Sequence, residues 1–168
     1  MSRMHSKNAD LKVRRCLQVE SNVSQARNAL ITFVTAGYPS LDATVGILKA
    51  MQEGGTDIIE LGFSQSNGLT LGLPFTDPVA DGPTIQEAND ISLANGTNIA
   101  KALQLLRTAR NEGVTVPVVL MGYYNPLLSY GEERIVEAAK EAGANGFIIV
   151  DLPPEEAVSF RTCCLKFG

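Results

Sequence analysis

The chain has 168 residues, 45% of them hydrophobic and 19% charged, with a formal net charge of −4. That length holds one core, no apolar run reaches the length of a membrane span, and the acidic balance argues against nucleic acid as the main partner. The charge is uneven: residues 1–28 carry six Lys/Arg against two Asp/Glu, and the remainder is acidic. No apolar stretch follows the basic start, so a secretory signal is not expected. Residues 1–28 read as a basic, weakly structured N-terminal segment. The three cysteines, Cys16, Cys163 and Cys164, and the single histidine, His5, offer no metal-ligand spacing and no material for a His-based triad. A sparse, odd cysteine count suits a reducing, cytoplasmic compartment.

From Ala29 the pattern becomes regular. ALITFVT (Ala29–Thr35) is a β-branched apolar run and reads as a fully buried strand. AGYPS interrupts it, and Ser40 can cap a helix to Glu53 with Val45, Leu48 and Met51 on one face. Gly54 and Gly55 end that helix. DIIEL (Asp57–Leu61) is a second strand. After a long loop, Thr84–Leu93 reads as a helix stopped by Asn95-Gly96. Asn98 can cap another to Asn111, with Ile99, Ala102, Leu103, Leu106 and Ala109 as its inner stripe. VPVVLMGY (Val116–Tyr123) is a third strand and YNPLLSYG a loop. Glu132–Ala142 is a helix ended by Gly143, and GFIIVDL (Gly146–Leu152) a fourth strand. Pro153 and Pro154 open a final helix, since proline is tolerated in a first turn. Four strand-then-helix units, most of about 30 residues, predict a parallel α/β sheet, either a βα-barrel or a doubly wound sheet. The absence of G-x-G-x-x-G after the first strand weighs against a dinucleotide site.

Parallel α/β proteins carry their chemistry at the carboxyl ends of the strands. Polar residues gather there: Glu60 in the second strand, Asp81 in the loop beyond it, Tyr123 and Asn125 after the third, Asp151 after the fourth. A carboxylate embedded in IIEL is partly desolvated, and burial of this kind suits a general acid/base. The plainer alternative is a buried Glu satisfied by a backbone donor or a Lys. Glu60 and Asp81 together form a pair of carboxylates in different settings, able to hold different protonation states. Asp77 and Asp81 are also ordinary turn residues before Pro and Gly. Phe33, Tyr123 and Ile148 either line an apolar pocket or belong to the core.

The blocks ALITFVTAGYP, IIELG, PFTDPVADGPTIQ, VLMGYYNPLLSYGEER and NGFIIVDLPPEEA closely resemble the α subunit of tryptophan synthase, most of all the form found as the first domain of the fused fungal enzyme. The resemblance runs from Ala29 to Phe160. It implies a βα-barrel (TIM-barrel) lyase of L-tryptophan biosynthesis that cleaves indole-3-glycerol phosphate to indole and glyceraldehyde 3-phosphate. Indole would pass to a β unit, fused or separate, that carries pyridoxal phosphate; no cofactor or metal is implied in this chain. By the same resemblance Glu60 falls on the general acid/base, and Asp81 on the carboxylate that binds the indole N–H. Phe33, Tyr123 and Ile148 line the indole pocket, Asp77 and Pro78 contact the β unit, and Asp151 couples the subunits.

The chain departs from the family pattern in three places. About ten extra residues, 63–72, stand between ELG and LPF, flanked by repeated Leu-Gly; they are polar and Gly-containing, as an added surface loop is. The sequence supplies the first four βα units of eight, and the family's phosphate site is built from later ones. Residues 1–28 match weakly and have a poor helical stripe. Negligible turnover by residues 1–168 alone is therefore expected. The alternative expectation is a truncated, catalytically inactive product that only binds a β unit or another half-barrel.

Overall fold

The computed structural model describes residues 28–63 and 81–167. Four strands form one parallel sheet in the order β1-β2-β3-β4: β1 (Ile31–Thr35), β2 (Ile58–Gly62), β3 (Val118–Gly122) and β4 (Gly146–Ile149). The helices are α1 (Leu41–Glu53), α2 (Pro83–Ala94), α3 (Ile99–Asn111), α4 (Tyr124–Tyr130), α5 (Glu132–Ala142) and α6 (Val158–Phe167). In chain order, α1, α3, α5 and α6 pack side by side, while α2 lies against β1.

Alternation along the strands sorts the residues onto two faces. Ile59, Leu61, Val118 and Leu120 lie on the face covered by helices and are at most 2% exposed. Leu48 from α1, Leu106 from α3 and Ile135 from α5 meet them there. Each side chain buried this way contributes roughly 1.5–3 kcal/mol relative to an exposed position. The opposite face is only half covered among the described residues. Ile31 is 51% exposed and Ile148 37%. The expectation that ALITFVT is buried on both sides therefore holds for Val34 and Thr35 but not for Leu30 and Ile31.

Local chemistry sets the helix ends. Ser40 Oγ accepts from Ala43 N at 3.2 Å, and Asn98 Oδ1 from Lys101 N at 2.9 Å, each satisfying a first-turn N–H. Gly143, at φ +90°, ends α5 in the left-handed conformation that glycine adopts without penalty. Polar staples then fix the amino-terminal end of the sheet. Gln52 of α1 accepts from Thr115 N and Val116 N and donates to Gly113 O. Arg110 of α3 donates to the carbonyls of Val114, Val116 and Gly143 and to Asn145 Oδ1.

Three elements differ from the sequence reading. YNPLLSYG forms the short helix α4, with Pro126 in its first turn and Leu127 buried. Pro153 and Pro154 lie in a turn, and the last helix begins at Val158. Phe63, placed in the added loop by sequence, extends the β2 ladder instead. Its N–H donates to Met121 O at 3.0 Å and its ring is 6% exposed. That ring fills the space above Gly122, where a Cβ would come within 2.4 Å of it. The other residues of that loop, 64–72, and residues 1–27 lie outside the described residues. No helix among the described residues is long and apolar enough to cross a membrane.

Candidate active site

Two rows of side chains cross the half-covered face of the sheet. Register places Phe33, Glu60, Val119 and Gly146 in the first row. Thr35, Gly62, Met121 and Ile148 form the second row, one step nearer the carboxyl ends. Glu60 is thus the single charged group among apolar neighbours. It is half-buried, and no described residue gives it a hydrogen bond or ion pair. The plainer reading, a Glu satisfied by a Lys or a backbone donor, finds no such partner among the described residues.

The Phe33 ring leans from the first row over Gly62. A Cβ at Gly62 would approach the ring to 2.7 Å, so glycine is what lets the aromatic face lie beside Glu60. Tyr123 follows β3 in extended conformation and continues the alternation of Val119 and Met121 onto the same face. Ile148 of β4 stands opposite Met121. Phe33, Tyr123 and Ile148 therefore share one face with Glu60, and their partial exposure there distinguishes them from the buried helix-side core.

Asp81 comes to the same end of the sheet through α2. Its carbonyl accepts from Gln86 Nε2 at 2.9 Å, and its Oδ2 accepts from Asn89 Nδ2 at 3.4 Å. Asn89 Oδ1 in turn accepts from Thr35 Oγ1 at 3.4 Å. Thr35 is two residues beyond Phe33 on β1, about 7 Å along the strand. The Asp81 carboxylate is accordingly tied, through one side chain, to the strand that lies beside Glu60.

Asp151 lies two residues beyond β4 and is exposed. Its Oδ1 accepts from Tyr124 N at 2.7 Å, joining the ends of β3 and β4 and fixing the segment that carries Tyr123 and Asn125. Tyr124 is also gripped by its hydroxyl, which donates to Glu132 Oε1 at 2.6 Å, while Ser159 Oγ donates to Glu132 Oε2. The Tyr124 phenol is pushed up to about 12, first by that hydrogen bond, then by burial and by the Glu132 charge. Its ring meets Phe160 edge-on at 6.3 Å, and Phe160 meets Phe147 at 5.2 Å. Asp77 and Pro78 lie outside the described residues.

Sequence reasoning missed Thr35, Asn89, Tyr124 and Glu132. The one available signal was spacing: Gln86, Asn89, Ser92 and Asn95 recur every three residues through α2 and its C-cap, a polar row in a helix that should dock by an apolar one.

Known proteins share this sequence pattern and this fold. The family model described as tryptophan synthase alpha chain matches residues 19–168. The tryptophan synthase of Saccharomyces cerevisiae is 60% identical over 135 residues, which are 80% of this chain and 18% of that protein. The tryptophan synthase alpha chain of Geobacter sulfurreducens is 47% identical over 85% of this chain and 50% of its own length. Among solved structures, tryptophan synthase subunit alpha from Legionella pneumophila superposes with a TM-score of 0.80 at 36% identity, covering 92% of this chain and 55% of that one. The chain thus spans about half the length of the separate alpha chains it matches, with four strands of their βα-barrel fold. On these grounds the chain belongs to the tryptophan synthase alpha chain family.

Proposed function

We propose that this chain supplies the acid/base face of a lyase that cleaves indole-3-glycerol phosphate to indole and glyceraldehyde 3-phosphate, in L-tryptophan biosynthesis. What supports the reading is one arrangement. A half-buried carboxylate, Glu60, sits between Phe33 and Val119, and a second carboxylate, Asp81, is tethered to the adjoining strand. In this reading Phe33, Tyr123 and Ile148 hold the flat apolar indole ring. Glu60 delivers a proton to indole C3, which places positive charge on the ring N–H. The ionised Asp81 accepts a hydrogen bond from that N–H and stabilises the charge. Glu60, now a carboxylate, takes the proton of the glycerol hydroxyl next to the ring. The carbon–carbon bond breaks, its electrons return to the ring, and the hydroxyl carbon leaves as the aldehyde. The proton lost from the hydroxyl balances the one given to C3.

The partner in this reading is a β unit carrying pyridoxal phosphate, met through the loop of Asp77 and Pro78 and coupled through Asp151, in the cytoplasm. Sedimentation of the chain with that unit tests the association directly. For the chemistry, in a chain that also carries the later βα units with the family's phosphate site, Glu60→Gln should lower indole release from indole-3-glycerol phosphate by roughly 100-fold or more, in keeping with general acid–base contributions. Asp81→Asn should also lower it, with the folded state retained by circular dichroism. Indole release unaffected by Glu60→Gln would remove the proposal.

A further inference from the structure

Helix α2 presents a polar row to the rest of the molecule. Gln86 and Asn89, three residues apart, lie on one helix face, as do Asn89 and Ser92. Gln86 donates to the Asp81 carbonyl at 2.9 Å and Asn89 to the Asp81 carboxylate at 3.4 Å. Ser92 Oγ donates to Ala36 O at 2.6 Å, and Asn95 Nδ2, at the C-cap, to Gly37 O and Pro39 O. One helix face thus holds both the main chain and the side chain of Asp81 and docks on the turn that follows β1.

We propose that Asn89 is a positioning residue for Asp81, with Thr35 fixing its orientation. The proposal rests on the reading of Asp81 as the carboxylate that meets the indole N–H. Thr35 is 2% exposed, so its hydroxyl proton must find an acceptor inside the protein. Asn89 Oδ1 is that acceptor, at 3.4 Å. An amide whose oxygen faces Thr35 turns its NH2 toward Asp81. The reversed amide would set its carbonyl oxygen against an ionised carboxylate, two acceptors with no proton between them. Thr35 and Asp81 therefore demand the same orientation of Asn89. With Oδ2 engaged by Asn89, the other oxygen, Oδ1, has no hydrogen bond among the described residues and is left for a donor on the ligand.

The test has two readings. In the chain itself, the side-chain amide protons of Asn89, followed by 15N-correlated NMR, should move when Asp81→Asn removes the carboxylate and stay in place in Glu60→Gln. An Asn89 amide indifferent to Asp81→Asn would overturn the proposal whatever the activity. In a chain that also carries the later βα units, assembled with its β unit, Asn89→Leu should lower kcat for indole release roughly 10- to 100-fold. KM should change by less than about threefold, because the variant misplaces a charge-stabilising group rather than removing the pocket. Thr35→Val should give a smaller loss of the same kind, and Asn89→Gln should restore part of it. A rise in KM at constant kcat, or equal losses for Asn89→Leu and Asn89→Gln, would also overturn it. If that wild-type assembly, with the later βα units present, releases no indole, the lyase reading falls, and the amide response alone decides whether Asn89 positions Asp81.

Discussion

The Tyr124 phenol shows how a single residue can hold a site without lying in it. Its amide is held by Asp151 and its hydroxyl by Glu132, so the segment bearing Tyr123 and Asn125 is fixed from both ends. The hydrogen bond to Glu132 favours the neutral phenol, which raises the hydroxyl from its ordinary 10 to about 12. A raised value means that the folded state binds the proton more tightly than the unfolded chain. The resulting stabilisation is complete below pH 10 and is lost as pH climbs from 10 toward 12. Glu132→Ala should bring this titration back toward 10. Tyrosinate absorbance, with Tyr124→Phe as the reference that lacks the transition, reads it directly; a titration that stays near 12 in Glu132→Ala would show that the carboxylate is not the cause. The neighbouring Cys164 thiol is also pushed up, by burial first and then by Cys163, which disfavours the reactive thiolate near neutral pH.

At the scale of elements, periodicity and caps decided most of what could be read. Helix α3 follows the stripe Ile99, Ala102, Leu103, Leu106, Ala109 and starts at the Asn98 cap, as its sequence states. Asn98→Ala should cost about 1 kcal/mol, the usual worth of a first-turn cap, measured as a shift in the urea midpoint at constant slope. No change would mean that another group satisfies the Lys101 N–H. Where local signals were weak, tertiary contacts prevailed. YNPLLSYG has turn composition, yet Leu127 and Pro126 find a buried site and Asp151, distant in sequence, takes the first N–H of α4. Pro153-Pro154 suits a helix start, but their residues form a turn that precedes α6 by several positions. The site divides in the same way. Glu60 stood out because a charge in an apolar strand breaks a local rule. Asn89 did not, because its meaning depends on Thr35, which is 54 residues away in sequence.

The whole molecule separates what holds it together from what does the proposed chemistry. Helices α1, α3 and α5 bury their apolar stripes on one side of the sheet, where Leu48, Ile59, Leu61, Leu106 and Ile135 are at most 1% exposed. Glu60, Phe33, Met121 and Ile148 occupy the other side, where described residues cover them only in part. Truncations on the two faces should therefore differ in kind. Leu106→Ala removes a fully enclosed side chain and leaves a cavity, which costs about 2–5 kcal/mol. Phe33→Ala removes a larger side chain, yet one already partly in water whose site can refill with solvent. It should cost under about 2 kcal/mol by area, while weakening any indole-like ligand that binds beside Glu60. Urea denaturation of the two variants, with titration of indole into each, makes the comparison. A Phe33→Ala variant destabilised as much as Leu106→Ala would mean that the half-covered face is part of the stabilising core, and the division between the two faces would have to be abandoned.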